Sequence, residues 1–309
     1  MIAAAAQPTG NSTRGARAAV LGHPIGHSRS PLLHSTAYRA MGVSIDYTAI
    51  DIEPGEAEAF AARLRTEPEW VGVSVTMPMK DALIPYMDEL SGRVQRLGAL
   101  NTVLVRRTAD GVHLVGHNTD VDGIVRSLAP ALRAQDDVMV TGTPRRAAIL
   151  GAGNTALAAL EACADLGFTH VDLVVRNPER ATAARTLATE LGLSSETIAA
   201  KAAGERLRDY AAVISTLPAR AADGLVPQLS LAGSAGILAP GAVLLDVAYD
   251  PWPSAIASAW HDAGGTVVSG MLMLVHQGVE QVKMFSGVKV ADWKHVTNVM
   301  CDAVGLSRP

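Results

Sequence analysis

The stretch from residue 71 to 80, VGVSVTMPMK, alternates like a buried strand, meets a proline and then presents an ammonium group, Lys80. The segment after such a strand emerges at the end of a sheet, and in open α/β sheets that end is where ligands bind. A lysine there is either a solvated helix start or a group facing a ligand, and the local pattern leaves both open. A second stretch, AAILGAGNTALAALEA, reads strand, turn, helix. In its turn Gly151 permits a tight bend, Gly153 lets the backbone approach a pyrophosphate, and Ala156 is small enough for the helix to lie close to the strand. Ala152, Asn154 and Thr155 complete the turn, and the helix N-terminus would offer free N–H groups and a positive dipole end to phosphates.

Which dinucleotide such a turn would hold depends on the end of the next strand, HVDLVV. Asp172 lies near the ~20-residue spacing at which an acidic side chain usually meets an adenosine ribose, but it falls inside the strand. Just past the strand stands Arg176, and Arg180 comes behind Asn177 and Pro178, a good N-cap and first-turn pair. Two arginines at that edge suit a 2′-phosphate, or else mark a solvated helix start. Ser28 and Ser30 precede a helix beginning at Pro31, where hydroxyls and the dipole end would accept a carboxylate, and where Ser30 could also serve as a simple N-cap.

The elements that would carry these groups alternate. Strand patterns at AAVLG, IDYTAID and VGVSVT are separated by helical patterns at PLLHSTAYRAMG and PGEAEAFAARLR. After a polar stretch from Arg133 to Arg146 the alternation resumes with AAILG, HVDLVV, AAVIST, AVLLDV and TVVSG. Two helical patterns, MLMLVHQGVEQVKMF and ADWKHVTNVMCDAV, close the chain. Strands alternating with helices of this length predict βαβ units and parallel sheets, hence two α/β domains in line.

With 309 residues, 49% of them hydrophobic, the chain can build two cores, which excludes disorder as its main theme. A net charge of −4 without a basic cluster argues against nucleic acid or an anionic membrane as partner, and no apolar run approaches the ~20 residues a bilayer requires. Residues 1–17 read as a flexible leader. Cys163 and Cys301 lack metal-ligand spacing and read as buried free thiols in a reducing cytoplasm. His23, His27 and His276 are too scattered for a metal site and read as structural.

Six motifs occur in the order found in shikimate dehydrogenases: GHPIGHSRSP, SVTMPMK, GALNT, NTD, GAGNTA and GMLMLVHQ. The chain resembles that family over nearly its whole length from Ala18. The resemblance implies a substrate-binding domain of residues 18–120 and 270–309 and a Rossmann-type NADP-binding domain of residues 121–269, with the closing helices returning to the first. It further implies reversible, NADP(H)-linked reduction of 3-dehydroshikimate to shikimate by a cytoplasmic monomer or homodimer. Lys80 and Asp120 would be the catalytic pair. Thr76, Asn101 and Gln277 would meet the ring hydroxyls, Tyr249 the carboxylate, and Gly270 the cofactor. Three positions depart from the family pattern: Ser74 stands where asparagine is common, His117 where an acidic residue is frequent, and Asn154 where glycine is usual. The alternatives are a quinate/shikimate dehydrogenase, in which an acidic residue would often stand at Arg176, and a catalytically silent dinucleotide-binding paralogue, which loss of Lys80 or Asp120 would have favoured.

Overall fold

The computed structural model describes residues 15–136, 145–204, 206–230 and 238–309. Its first part supplies β1 (Ala16–Gly22), α1 (Ser30–Met41), β2 (Ile45–Asp51), α2 (Ala57–Thr66), β3 (Trp70–Val75), α3 (Met79–Ala82), β4 (Glu89–Leu90), α4 (Gly92–Leu97), β5 (Thr102–Thr108) and β6 (Gly111–His117). These strands form one sheet in the order β2-β1-β3-β5-β6-β4. β1 is parallel to β2 and β3, as the alternating pattern predicts, but β5 runs antiparallel to both β3 and β6. The expectation of a wholly parallel sheet is therefore corrected to a mixed one. Its cause is local: Thr108 pairs with Gly111 around Ala109 and Asp110, and so short a connection can join only antiparallel strands. β1 also starts two residues before the expected Ala18. Ala16 and Arg17, which the sequence pattern places in the leader, pair with Ile45 and Asp46, and the Arg17 guanidinium lies 4.6 Å over the Trp70 ring. The leader's residues 1–14 lie outside the described residues.

The second part supplies α5 (Asp120–Asp136), β7 (Arg146–Leu150), α6 (Asn154–Asp165), β8 (His170–Val175), α7 (Thr182–Glu190), β9 (Thr197–Ala199), β10 (Ala212–Ser215), α8 (Val226–Ser230), β11 (Val243–Asp246), α9 (Ala255–Asp262) and β12 (Thr266–Ser269). α10 (Gly270–Ser286) and α11 (Trp293–Ala303) close the chain. The second sheet is parallel throughout, in the order β12-β11-β10-β7-β8-β9. This is the strand order of dinucleotide-binding α/β domains, with a switch point between β7 and β10. In the polar stretch between Arg133 and Arg146, residues 137–144 lie outside the described residues.

Both sheets are covered on two faces. Phe60 and Leu64 of α2 pack with Trp70 and Val73 under one face of the first sheet. On its other face Leu33 and Tyr38 of α1 meet Val275, Val279, Val282 and Phe285 of α10 and Met300 of α11. The closing helices thus return to the first sheet. Ile124 and Leu128 of α5 join α6 on one face of the second sheet, and Trp260 of α9 packs on the other. Ion pairs link the two halves: Arg93 on α4 reaches Asp122 at 2.7 Å and Asp165 at 3.1 Å, and Arg96 reaches the buried Glu161 at 2.5 Å. Among the described residues no helix is long and apolar enough to cross a membrane.

Candidate active site

The first sheet changes winding direction between β1 and β3, so the segments that leave these two strands diverge and open a crevice at their C-terminal ends. Ser28 and Ser30 come after β1, while Thr76 and Lys80 come after β3. All four line a cavity of about 590 Å³. Asn101, which precedes β5, and Asp120, the first residue of α5, form its floor, and Gln277 of α10 projects into it. Thr155, Tyr249 and Gly270 of the second half line the same cavity. The crevice therefore lies between the two sheets.

Lys80 Nζ donates to Asp120 Oδ2, with the two side chains only 13% and 8% exposed. An ion pair this dry must have its remaining valences satisfied. Asp120 Oδ1 accepts from Asn101 Nδ2 at 2.8 Å, and the Asp120 amide donates to Asn118 Oδ1 at 3.0 Å. Asn101 Nδ2 also reaches Gln277 Oε1 at 3.2 Å, while Asn101 Oδ1 accepts from the Thr119 amide at 2.8 Å. Gln277 Nε2 donates to the Leu274 carbonyl at 3.0 Å. Lys80 is thus no solvated helix start: its charge is turned into the cavity and matched there.

The end of the cavity at Ser28 and Ser30 is arranged differently from the expectation for Ser30. α1 begins at Ser30 itself, Arg29 occupies the N-cap position without a side-chain cap, and Ser28 Oγ accepts the Ser30 amide at 3.3 Å. The reading of Ser30 as an N-cap is corrected: Pro31 stands at the second helical position rather than the first, and the Ser28 hydroxyl, not that of Ser30, takes up a first-turn amide. Ser30 is buried and its hydroxyl meets that of Tyr47. Tyr249, in the loop after β11, has its phenol pushed up by burial, with nearby Arg29 opposing the shift.

A second cavity, of about 860 Å³, opens at the switch point of the second sheet. Gly151, Ala152 and Gly153 line it together with Arg176, Asn177 and Arg180. Gly151 has φ 112°, and a Cβ there would stand 2.6 Å from Thr216 Oγ1, so only glycine fits. At Gly153 a Cβ would meet nothing within 4 Å, leaving open space over the helix N-terminus. Neither Asn154 nor Ala156 lines a cavity; Ala156 is buried under the turn, in the packing role expected of it. Asn177 Oδ1 caps the Glu179 amide at 3.0 Å. The side chains of Arg176 and Arg180 make no ion pair among the described residues, whereas Asp172 is fully buried. Its carboxylate is engaged by Arg146 at 3.0 Å, Tyr210 at 2.5 Å and the Glu196 amide at 2.8 Å. Asp172 is a structural acid, as its place inside β8 predicts.

Gly270 touches the cavity through its backbone, and a Cβ there would lie 2.1 Å from the Val247 carbonyl oxygen. Lys201, beside Arg180 in the second cavity, and Gln281, one turn beyond Gln277, are site residues that the sequence pattern does not single out. For Gln281 a signal exists: a second amide four residues after the first on an otherwise apolar helix. Of the histidines, His23 and His27 reach the rim, with His23 Nδ1 2.6 Å from Asp51, and His276 does not line the cavity. Burial pushes His276 down to about 4 and His117 below its usual range. Cys163 and Cys301 are buried free thiols, pushed up by burial to about 12 and about 11. No group of three His, Cys, Asp or Glu among the described residues could hold a metal.

Residues 20–103 match a sequence profile described as the shikimate dehydrogenase substrate binding domain. The shikimate dehydrogenase (NADP(+)) of Lysinibacillus sphaericus is 34% identical over 260 residues, covering 84% of this chain and 88% of that one. The crystal structure of the Mycobacterium tuberculosis shikimate dehydrogenase is 36% identical, covers 93% of this chain and 99% of that one, and superposes with a TM-score of 0.75. A Thermus thermophilus shikimate 5-dehydrogenase in complex with NADP(H) and shikimate is 28% identical over 93% of this chain and 99% of its own, with a TM-score of 0.69. With the fold, the crevice and these relatives in agreement, the chain belongs to the shikimate dehydrogenase family.

Proposed function

We propose that this enzyme interconverts 3-dehydroshikimate and shikimate with NADP(H), using Lys80 and Asp120 as its acid–base pair. The observation that carries the reading is the dry Lys80–Asp120 pair facing a crevice whose opposite wall, at Thr155, belongs to the glycine turn of the second sheet. When bound, NADPH supplies hydride to a ketone carbon. The developing charge on the ketone oxygen would meet Lys80 Nζ, which stabilises it and delivers a proton to it; in the reverse direction Nζ takes the proton from the hydroxyl. Asp120 orients the ammonium through Oδ2 and is itself held by Asn101 through Oδ1. Thr76, Asn101 and Gln277 would meet ring hydroxyls, and Ser28, Ser30 and Tyr249 the carboxylate.

The second cavity fits the cofactor. Gly151, Ala152 and Gly153 leave room for a pyrophosphate over the helix N-terminus, where Asn154 and Thr155 present their amides. The uncommitted guanidinium groups of Arg176 and Arg180 suit a 2′-phosphate, with Asn177 shaping the loop, while Gly270 would meet the cofactor where it reaches the first cavity. Purified protein should reduce NADP⁺ with shikimate, followed at the nicotinamide absorbance. Faster turnover with quinate and NAD⁺ would overturn the assignment, and no turnover with either pair would leave a binding protein. We further propose a monomer or homodimer working in the cytoplasm, which light scattering and cell fractionation check.

A further inference from the structure

Gln281 is 1% exposed at the back of the crevice, and its carboxamide has four partners. Nε2 donates to the Asn101 carbonyl at 3.1 Å and to Thr102 Oγ1 at 3.0 Å. Oε1 accepts from Ser74 Oγ at 2.8 Å and lies 3.2 Å from His34 Nε2. A carboxamide has two donor hydrogens and two acceptor lone pairs, so the group is saturated. Its orientation is dictated by chemistry. A carbonyl can only accept, so the nitrogen must face Asn101, and the oxygen then requires a proton on His34 Nε2. Burial pushes the His34 imidazole down to about 3, which keeps it neutral, and Nδ1 is left to accept from Tyr38 Oη at 3.1 Å. Beyond Ser74, the Tyr47 hydroxyl donates to Ser74 Oγ at 2.7 Å and also meets the hydroxyl of Ser30.

This wiring joins two parts of the crevice. Gln277 and Gln281 lie one turn apart on the same face of α10 and hold residue 101 from two sides, one at its side chain and one at its main chain. The Gln281 amide also connects through Ser74 to Tyr47, whose hydroxyl neighbours that of Ser30 in the segment after β1. We propose that Gln281 is a positioning residue for the reaction: its amide fixes the Asn101 main chain relative to Ser30, and thereby sets where the Asn101 carboxamide and the Lys80–Asp120 pair meet the substrate. The inference rests on the reading of the crevice as a shikimate site. A core polar group would need only to be satisfied. This one joins the end that holds the proton donor to the end that would hold the carboxylate.

The geometry supplies a swap test. Ser74 Oγ lies 2.8 Å from the Gln281 amide, and Ser74 pairs across the sheet with Thr102, so an asparagine on β3 can place an amide where the glutamine amide sits. Three proteins are compared: the parent, Gln281→Met, and Ser74→Asn/Gln281→Ala. Each is measured for shikimate kcat and KM, and for NADP⁺ binding by quenching of intrinsic fluorescence. Gln281→Met should lose about 10–100-fold in kcat/KM for shikimate, with NADP⁺ affinity within about twofold of the parent, and the double variant should recover at least half of that loss on a logarithmic scale. If Gln281→Met does not fold, a folded double variant within about threefold of the parent carries the proposal. A Gln281→Met enzyme with parental kcat/KM overturns it, as does a folded double variant that recovers nothing. Failure of both variants to fold makes Gln281 a core residue only and also overturns it. A parent that does not turn over shikimate refutes instead the functional reading on which this rests.

Discussion

The two cavities are built on the same plan, each at the switch point of its sheet, yet they are furnished in opposite ways. In the first, the polar side chains of the floor already have protein partners: Asn101 serves Asp120 and Gln277, and Asp120 serves Lys80. In the second, the lining is a bare glycine turn and arginines that make no ion pair among the described residues. A site wired in this way is preorganised, so that removing one group disturbs its neighbours. A site made of open backbone and free charge recruits its ligand by electrostatics, and its groups can be changed one at a time.

The contrast is broken most directly at Lys80. Lys80→Ala should lower kcat by about 100–10,000-fold while shikimate affinity changes far less, because in the proposed mechanism the ammonium acts on charge that develops during reaction. An unchanged kcat would return Lys80 to a structural role. Asp120→Asn should also lower kcat and shift the pH–rate profile; a profile like the parent's would show that Asp120 does not couple to the proton donor. Next in size is the carboxylate end. Replacing Ser28 and Ser30 together with alanine should raise the shikimate KM by roughly 10–1,000-fold, two hydrogen bonds to a charged group at about 1–2 kcal/mol each, and leave the cofactor KM nearly unmoved. Equal damage to both constants would show that the serines support the fold instead.

At the open cavity the effect should be smaller and confined to the cofactor. One charge-assisted contact at about 1.5–3 kcal/mol corresponds to a preference for NADP⁺ over NAD⁺ of roughly 10–150-fold, which Arg176→Asp should abolish, as kcat/KM for the two cofactors will report. A mutant that keeps the preference would move the 2′-phosphate to Arg180 or Lys201. Over the single pH unit that would be measured, the smallest effect is on stability. His34 is buried and neutral, its folded pKa lowered from 6.5 to about 3, so below pH 6.5 the unfolded chain binds a proton that the folded chain does not. Stability contributed above pH 6.5 is therefore lost as the pH falls toward 3, at up to about 1.4 kcal/mol per pH unit. His34→Asn should show a shallower fall in urea unfolding free energy between pH 6 and pH 5, and an unchanged slope would mean that water reaches the imidazole.

Much of the molecule is readable in the chain because its signals are local. Gly151 and Gly153 stand between a strand and a helix, Arg176 stands past a strand end, and Asp172 stands inside one, and each position has one ordinary physical meaning. Sequence reading fails where the deciding partner is distant or a turn is easily overlooked. The β5–β6 hairpin is visible only if Asp110-Gly111 is taken as a turn between two alternating runs. Ser30 reads as a cap because Pro31 behind it suggests the first helical position, whereas the helix takes in both residues and the cap position falls to Arg29. Gln281 escapes because its partners include Ser74, 207 residues earlier, and no local pattern encodes such a pair.

The return of α10 to the first sheet also governs the order in which the molecule can be completed as it leaves the ribosome. Domains generally fold as units, N-terminal ones first. Here the strands of the first sheet have all been made by His117, but the face carrying Leu33, Tyr38 and Tyr47 lacks its cover until Val275, Val279, Val282 and Phe285 have been translated. Gly72 keeps the place for the Phe285 ring, since a Cβ there would come within 2.4 Å of it. For the time it takes to translate the residues between His117 and Phe285, that face and the polar groups beneath it stay open to water and to other chains. The second sheet, whose strands are contiguous in the chain, closes meanwhile, so the half that is synthesised first is finished last.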